Sequence, residues 1–473
     1  MNIARVVFPG FWFNKSKEED ALALARAGVG GFCLYGGTKA SVAALTRKLR
    51  AASPLPRILI AADYEDGLGR WLPDTELLPS NLAIGATNNE ELAYEKGLIT
   101  AQQALQIGVD WVFAPVVDLA NNPQNPIVNT RSFGAEPELV IRLASAFMKG
   151  LSKGGVLNCL KHFPGHGNTT TDSHLAMPVV TETLAQLKKT SLVPFEKLLP
   201  QADSVMIGHL LVPALDDKTP ASLSKKIIHK LLQQEMGFAR CVCTDALLMK
   251  ALGDEKQSAL QALDAGAHLL LVPEKPFELI EFLRGQVFPD ETLKRAEQML
   301  NELCAQADEL AATAFKRPIN AQDFTLNTAR QALVALGHFP PVEPGDTVHI
   351  LEVGNDENFS SAPFIETLSA YGIIPRNFKD SAQMDTLIIL FWRRYKPFSG
   401  KIGLTPQETE FVNNALHNVR RTLLICFANP FASNDVATEG KLLAFSPSPA
   451  FQQAAAECVM GKFDPVGKLP MPL

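Results

Sequence analysis

The sequence predicts an α/β protein in which a TIM-type (β/α)8 barrel is followed by a smaller α/β domain. Three observations support this fold class. The chain has 473 residues, too many for one ordinary core of roughly 100–200 residues but suited to a large barrel plus a second domain. Short β-rich apolar runs alternate with longer stretches of helical periodicity, which is typical of βα units around a parallel sheet. Similar runs resume beyond a polar segment near residue 315.

Eight apolar runs are the predicted barrel strands. Helical stretches such as Glu90–Gln106, Pro137–Lys153 and Lys225–Gln234 lie between them, and a long polar helix at about Glu291–Ala314 closes the unit. We therefore assign residues 1–315 to the barrel. The predicted strands are Ala4–Phe8, Gly31–Tyr35, Ile58–Ala62, Trp111–Val117, Val156–Leu160, Ser204–Ile207, Arg240–Cys243 and His268–Val272.

The second domain is predicted over residues 322–473. The segment KRPINAQDF reads as the linker before it. Apolar runs then recur as HILEVG, TLIILFW and RTLLICFA, with a helical stretch at Pro406–Asn418 between the last two. Alternating strands and helices again indicate an α/β unit.

Composition and charge exclude several function classes. The hydrophobic fraction of 47% and charged fraction of 20% are those of a globular enzyme. The net charge of -6 gives no basic face for nucleic acid. The first residues lack an export signal and no apolar run reaches the length of a membrane span, so we expect a cytoplasmic protein without a membrane partner. Seven cysteines, an odd number, read as buried free thiols.

Polar residues lie just past the ends of five of the predicted strands. The active site of a TIM barrel lies at the carboxyl ends of its strands, so these side chains are expected to converge. Any one of them, Asp245 included, could instead be a helix N-cap. The set comprises Asp63, Asp118, Lys161 with His162, His209 and Asp245.

The segment KHFPGHGNTTTDSH, residues 161–174, is a predicted loop over the barrel mouth. His166 lies between two glycines and is expected to brace the loop. Asp172 and His174 are two residues apart, so the carboxylate can orient the imidazole and leave its other nitrogen for proton transfer near neutral pH. Without a family context, such an Asp-Ser-His would more often be an inert surface sequence.

The histidines also raise the alternative of a metal-dependent hydrolase. Two features argue against it, because an HxH after the first strand is missing and Pro and Gly interrupt the i, i+4 spacing that a helical site needs. We predict no metal and no other cofactor.

These motifs resemble family 3 glycoside hydrolases, in particular the NagZ-type β-N-acetylglucosaminidase branch. The resemblance spans nearly the whole chain. It rests on GVGGFCLYGG, LIAADYEDG, FAPVVDL, NTRSFG, KHFPGHG with TDSH, VMIGHL followed by PASLS, and CTDALLM. It implies that the second domain, from ARQALVALGHF to MGKFDPVGKLPMPL, is the family's α/β sandwich domain.

The resemblance also implies the roles of individual residues. Asp245 would be the nucleophile, and His174, assisted by Asp172, the general acid/base. The residues expected to bind the sugar are Asp63, Arg131, Lys161 and His162, together with His209 and Arg70.

Two departures from the family pattern stand out. Asn168 occupies a position that is usually Asp, which removes a charge from the loop. Trp71 stands where an arginine is expected, and Arg70 beside it could compensate.

The implied activity is retaining, exo-acting hydrolysis of terminal β-linked N-acetylglucosamine from muropeptides or chitooligosaccharides. The predicted partner is thus a small carbohydrate, and no oligomeric state is predicted. Three alternatives stay open: a phosphorylase that uses the same residues, a β-glucosidase, and a catalytically silent sugar-binding protein.

Overall fold

A computed structural model describes residues 2–171, 176–354, 356–379, 384–393, 403–417 and 419–473. The N-terminal unit, here the elements up to residue 313, consists of parallel strands that alternate with helices. Its strands are short, mostly apolar and mostly buried, as expected of parallel strands covered on both faces. They are β1 (Val7–Phe8), β2 (Gly10–Trp12), β3 (Gly31–Tyr35), β4 (Leu59–Ala62), β5 (Trp111–Val112), β6 (Leu160–Phe163), β7 (Ser204–Ile207), β8 (Cys241–Thr244) and β9 (Leu270–Leu271).

The helices of this unit carry clear start and stop signals. Thr38 and Asn89 accept backbone N–H groups at two N-termini, and Gly28 and Gly155 end two helices in the left-handed conformation that glycine adopts readily. The helices are α1 (Glu18–Ala27), α2 (Lys39–Ala52), α3 (Asn81–Thr87), α4 (Glu90–Gln106), α5 (Pro137–Gly154), α6 (Leu184–Leu187), α7 (Leu192–Leu198), α8 (Glu255–Ala265), α9 (Pro276–Arg284) and α10 (Asp290–Thr313), besides a π-helical stretch at Lys226–Glu235.

Three parallel sheets make up the N-terminal unit, in the orders β2-β3-β4-β5, β6-β7-β8 and β1-β9. Single parallel bridges continue the pairing between them: Trp111 with Leu157, and Cys243 with Leu269. The carboxyl ends of these strands therefore point to one side of the unit.

The strand boundaries differ from the sequence prediction at several strands. The run predicted over Trp111–Val117 forms a ladder only at Trp111–Val112, and Pro115, which lacks an N–H, interrupts it. The next ladder lies at Leu160–Phe163 rather than Val156–Leu160. Ile3–Val6 is a 3-10 helix, and the chain adds a strand, β2, that the prediction lacked.

The C-terminal unit, from residue 321 onward, has one six-stranded sheet in the order β10-β15-β14-β13-β11-β12. All pairs are parallel except β10 with β15. Its elements are α11 (Ala321–Ala332), β10 (Val334–Gly337), β11 (Thr347–Val353), α12 (Ala362–Ala370), β12 (Ile374–Asn377), β13 (Met384–Phe391), α13 (Pro406–Ala415), β14 (Val419–Cys426), β15 (Gly440–Leu443) and α14 (Pro449–Val459).

The two units share apolar packing. α11 contacts α3 of the N-terminal unit, and the buried residue Met471 belongs to the same hydrophobic cluster as Leu82 and Ala86 of α3. The seven cysteines carry no disulfide, and five of them are buried. Among the described residues, no helix is both long and apolar enough to cross a bilayer.

Candidate active site

A cavity of about 170 Å³ opens at the carboxyl ends of the parallel strands. One wall is polar and mostly charged, and the other is aromatic and aliphatic. The polar wall contains Asp63, Glu65, Arg70, Arg131, Lys161, His162, His166 and Asp245, and the apolar wall contains Trp12, Tyr35, Trp71, Phe113, Met206 and Met249 among others.

Asp245 follows β8 directly and lies partly exposed at the edge of the cavity. Its backbone N–H donates to the carbonyl of Ile207 at 3.0 Å, which continues the pairing of β8 with β7. The N–H of Ala246 donates to Oδ1 of Asp245 at 2.7 Å. The strand end and this bond together fix the direction of the carboxylate.

Asp63 and Lys161 form an ion pair across the polar wall. Nζ of Lys161 lies 2.6 Å from Oδ1 of Asp63 and 2.6 Å from Oε1 of Glu65. Burial alone would lower the pKa of Lys161, but the two carboxylates raise it above its ordinary value. Lys161 is therefore a permanent cation at the base of the cavity.

Glu65 is the centre of this charge network. It is fully buried and accepts two hydrogen bonds from Arg131, at 2.9 Å from Nε and 2.8 Å from Nη2. Nη1 of Arg70 lies 3.4 Å from Oε2 of Glu65, the oxygen that also accepts from Nε of Arg131. Burial would raise the pKa of Glu65, but Arg131, Arg70 and Lys161 hold it well below its usual range, so one carboxylate orients three cations.

His162 is held by Asp118. Nδ1 of His162 lies 2.7 Å from Oδ2 of Asp118, which leaves Nε2 on the cavity side, 3.4 Å from Nη2 of Arg131. The N–H of His166 also donates to Asp118, at 2.7 Å. Burial would raise the pKa of Asp118, but the two histidines lower it, so Asp118 stays charged.

The loop after β6 is fixed at its first residues. Nδ2 of Asn125 donates to the carbonyls of His166 and Gly167 at 2.7 and 2.9 Å. Nδ1 of His166 lies 2.8 Å from Oγ1 of Thr169, and burial lowers the pKa of His166 to about 4. The neutral ring of His166 thus makes a hydrogen bond within its own loop, as expected of a residue that braces this loop.

The catalytic pair predicted in this loop, Asp172 and His174, lies outside the described residues. Asn168, where the family usually has Asp, faces Nδ2 of Asn122 at 3.3 Å. An amide contact thus occupies the place where a charge was expected.

His209 does not line the cavity, in contrast to the predicted sugar contact. It is fully buried, with Nδ1 2.8 Å from Oγ of Ser222 and Nε2 3.1 Å from the carbonyl of Ala246. Both ring nitrogens are thus engaged by protein atoms next to Asp245. This geometry suits a residue that positions the Asp245 segment.

The aromatic wall was not predicted. Trp12 and Tyr35 stack with ring centroids 4.9 Å apart, and Trp71 meets Tyr35 edge-on at 5.2 Å. Nε1 of Trp71 donates to the carbonyl of Asp63 at 3.1 Å. Trp71, which stands where the family pattern has arginine, is therefore bonded to the backbone of the cavity residue Asp63.

Comparisons with known proteins show the family to which this chain belongs. Residues 2–305 match the profile of the glycosyl hydrolase family 3 N terminal domain. The chain belongs to glycosyl hydrolase family 3, which confirms the family predicted from its motifs.

Two relatives illustrate the similarity in sequence. A β-hexosaminidase of Idiomarina loihiensis is 31% identical over 310 residues, which cover 63% of this chain and 92% of that protein. A β-hexosaminidase of Neisseria meningitidis serogroup B is 32% identical over 354 residues, covering 71% of this chain and 93% of that protein.

The similarity in structure extends further along the chain. A family 3 β-N-acetylglucosaminidase from Paenibacillus sp. str. FPU-7 superposes with a TM-score of 0.89 at 26% identity, and the match covers 100% of this chain and 98% of that one. NagZ from Neisseria gonorrhoeae is 30% identical and superposes with a TM-score of 0.55. This match covers 66% of this chain and 98% of the NagZ chain. Both units of this chain thus have counterparts within the family.

Proposed function

We propose that this protein is a retaining exo-β-N-acetylglucosaminidase that hydrolyses terminal β-linked N-acetylglucosamine. The observation that carries the proposal is that Asp245 lines the same cavity as Asp63, Lys161 and Arg131. Membership of family 3 and the names of the relatives, β-hexosaminidases, support the substrate class. A small cavity with several fixed polar groups suits one polyhydroxylated ring.

The proposed reaction has two displacements at the anomeric carbon. Asp245 attacks this carbon while His174 protonates the leaving oxygen, and a covalent glycosyl-enzyme forms. A water molecule, deprotonated by His174, then releases the sugar with its β configuration retained. Asp172 orients the His174 ring and raises its basicity.

The polar wall supplies the contacts to the sugar. Asp63, Lys161 and the Nε2 side of His162 offer acceptors and donors to its hydroxyls, and Arg131 and Arg70 add donors. Because Glu65 already holds both arginines and the lysine, these donors are oriented before the sugar arrives, so little entropy is lost on binding. We assign His209 to positioning of the Asp245 segment instead.

We further propose a closed (β/α)8 barrel over residues 1–315 and an α/β sandwich domain over residues 322–473. The bridges of Trp111 with Leu157 and of Cys243 with Leu269 support closure, together with the pairing of β1 with β9. We place the protein in the cytoplasm, where recycled wall muropeptides are the favoured substrate over chitooligosaccharides.

A hydrolysis panel tests the proposal. p-Nitrophenyl N-acetyl-β-glucosaminide should be cleaved far faster than the p-nitrophenyl β-glucoside, and the product should be free N-acetylglucosamine with or without inorganic phosphate. A sugar 1-phosphate formed in phosphate buffer would identify a phosphorylase. Preference for the glucoside would identify a β-glucosidase, and binding without turnover would identify a sugar-binding protein.

A further inference from the structure

The segment Lys468–Met471 connects the C-terminal unit to the polar wall of the cavity. The N–H of Lys468 donates to the carbonyl of Ala86, in α3, at 2.9 Å. The carbonyl of Pro470 accepts from the N–H of Ala135 at 2.9 Å. The segment therefore joins α3 to the stretch of chain that follows Arg131.

The fit between these parts leaves no room for an added side chain at two glycines. A Cβ atom on Gly134 would lie 2.6 Å from the carbonyl oxygen of Pro470. A Cβ atom on Gly85 would lie 1.8 Å from the carbonyl oxygen of Phe133 and 3.1 Å from Cβ of Pro470. Both positions need glycine because three backbone segments meet there.

Met471 anchors the segment. It is 5% exposed and belongs to the same hydrophobic cluster as Leu82, Ala86 and Ala135 of the N-terminal unit. Its side chain thus holds the preceding Pro470 carbonyl against Ala135. Leu473, by contrast, is 38% exposed.

The stretch held by Pro470 leads directly to the groups that line the cavity. Nδ2 of Asn81, the first residue of α3, donates to the carbonyl of Arg131 at 2.7 Å. Oγ of Ser132 donates to the carbonyl of Asp118 at 2.6 Å. Arg131 contacts Glu65, and Asp118 holds His162, so two cavity side chains depend on this backbone.

We propose that Lys468–Met471 is a positioning segment through which the C-terminal unit fixes Arg131 and Asp118 for sugar binding. This inference rests on the proposed function, and it gives the second unit a part in the reaction although none of its described residues lines the cavity. Loosening the segment shifts donors that the sugar must meet, and displacements of about 1 Å in such groups can cost up to about 100-fold in rate.

The test compares Met471→Ala with Met471→Leu, which keeps the apolar volume, and with Leu473→Ala as an exposed control. Hydrogen exchange of peptides that contain Ala135 should be faster in Met471→Ala and unchanged in the other two. The KM for p-nitrophenyl N-acetyl-β-glucosaminide should rise about 10-fold in Met471→Ala, measured well below its Tm, with a smaller change in kcat.

A double-mutant cycle with Arg131→Lys separates positioning from general destabilisation. If the segment acts through Arg131, the effect of Met471→Ala on KM should shrink in the Arg131→Lys background, whereas independent effects would add. Full additivity, or an unchanged KM in Met471→Ala, overturns the inference. If the wild-type protein cleaves no substrate, the proposed function fails, and unchanged exchange at Ala135 would still overturn the positioning role separately.

Discussion

Replacing Glu65 by Gln tests the charge network that the structure places at the base of the cavity. The carboxylate accepts two bonds from Arg131, at 2.9 and 2.8 Å, and one contact from Lys161 at 2.6 Å. A glutamine keeps the shape but turns one acceptor oxygen into an NH2 donor that faces cationic donors. At least two charge-assisted bonds are lost, each worth about 1.5–3 kcal/mol.

We therefore expect Glu65→Gln to lower the free energy of unfolding by about 3–5 kcal/mol, the usual cost of removing one partner from a buried ion pair. Misplaced Arg131 and Lys161 should reduce kcat/KM by about 100-fold, which corresponds to roughly 3 kcal/mol in the transition state. Since Glu65 and Asp63 together raise the pKa of Lys161 against the effect of burial, the pKa of Lys161 should fall in the variant.

The assay is a pH-rate profile with p-nitrophenyl N-acetyl-β-glucosaminide, combined with urea denaturation. The alkaline limb of kcat/KM should stay in place in Glu65→Gln, because the general acid His174 sets it and Lys161 keeps its proton beside Asp63. Glu90→Gln is the matched control, as Glu90 pairs with Arg142 at the surface with 55% of its side chain exposed, and it should change kcat/KM by less than about twofold. A folded Glu65→Gln with wild-type kcat/KM would refute the role of Glu65 in orienting Arg131 and Lys161.

Three further predictions concern other residues. His174→Ala should lower kcat/KM for a natural disaccharide by about 10²–10⁴-fold. The first step should slow far less with a nitrophenyl leaving group, so a burst of nitrophenol should precede slow turnover. Equal losses for both substrates without a burst would show that His174 is not the acid/base. Trp71→Phe, which loses the N–H bond to Asp63, should lower kcat/KM about fivefold, or about 1 kcal/mol, and no change would make that bond irrelevant. Nδ1 of His268 accepts a hydrogen bond from the N–H of Val242, and burial lowers the pKa of His268 to about 3. In the unfolded chain the same ring binds a proton below about pH 6.5. The contribution of His268 to the free energy of unfolding is therefore full above that pH and falls by about 2 kcal/mol at pH 5. His268→Asn, but not a change at the exposed His229, should remove this loss between pH 7 and pH 5 in urea titrations.

Part of the active site could be predicted because parallel strands end on the same side of a sheet. Asp63, Lys161, His162 and Asp245 each follow an apolar run, and all four line the cavity. The same rule selected His209, whose side chain turns instead to Ser222 and Ala246. A rule based on strand ends gives the position of a residue but not the direction of its side chain.

Glu65 was missed for a physical reason. It lies two residues beyond the strand-end Asp63, and its bidentate partner Arg131 is 66 residues away in the sequence, so no local pattern joins them. The acidic run DYED was the available signal, since a carboxylate beside a barrel strand end needs a buried cation. The fold class followed from the alternation of runs, whereas the length of β5 depended on Pro115, which lacks the N–H that a longer ladder requires.

The central claim is that Asp245 forms a covalent bond to the sugar. The most direct measurement incubates the protein with a 5-fluoro-N-acetylglucosaminyl fluoride, which slows release of the glycosyl-enzyme, and maps the adduct by peptide mass spectrometry. One glycosyl group is expected on the peptide that contains Asp245. It should be absent in Asp245→Asn and should remain on Asp245 in Asp63→Asn. Turnover without any adduct, or an adduct on another carboxylate such as Asp63, would contradict the claim.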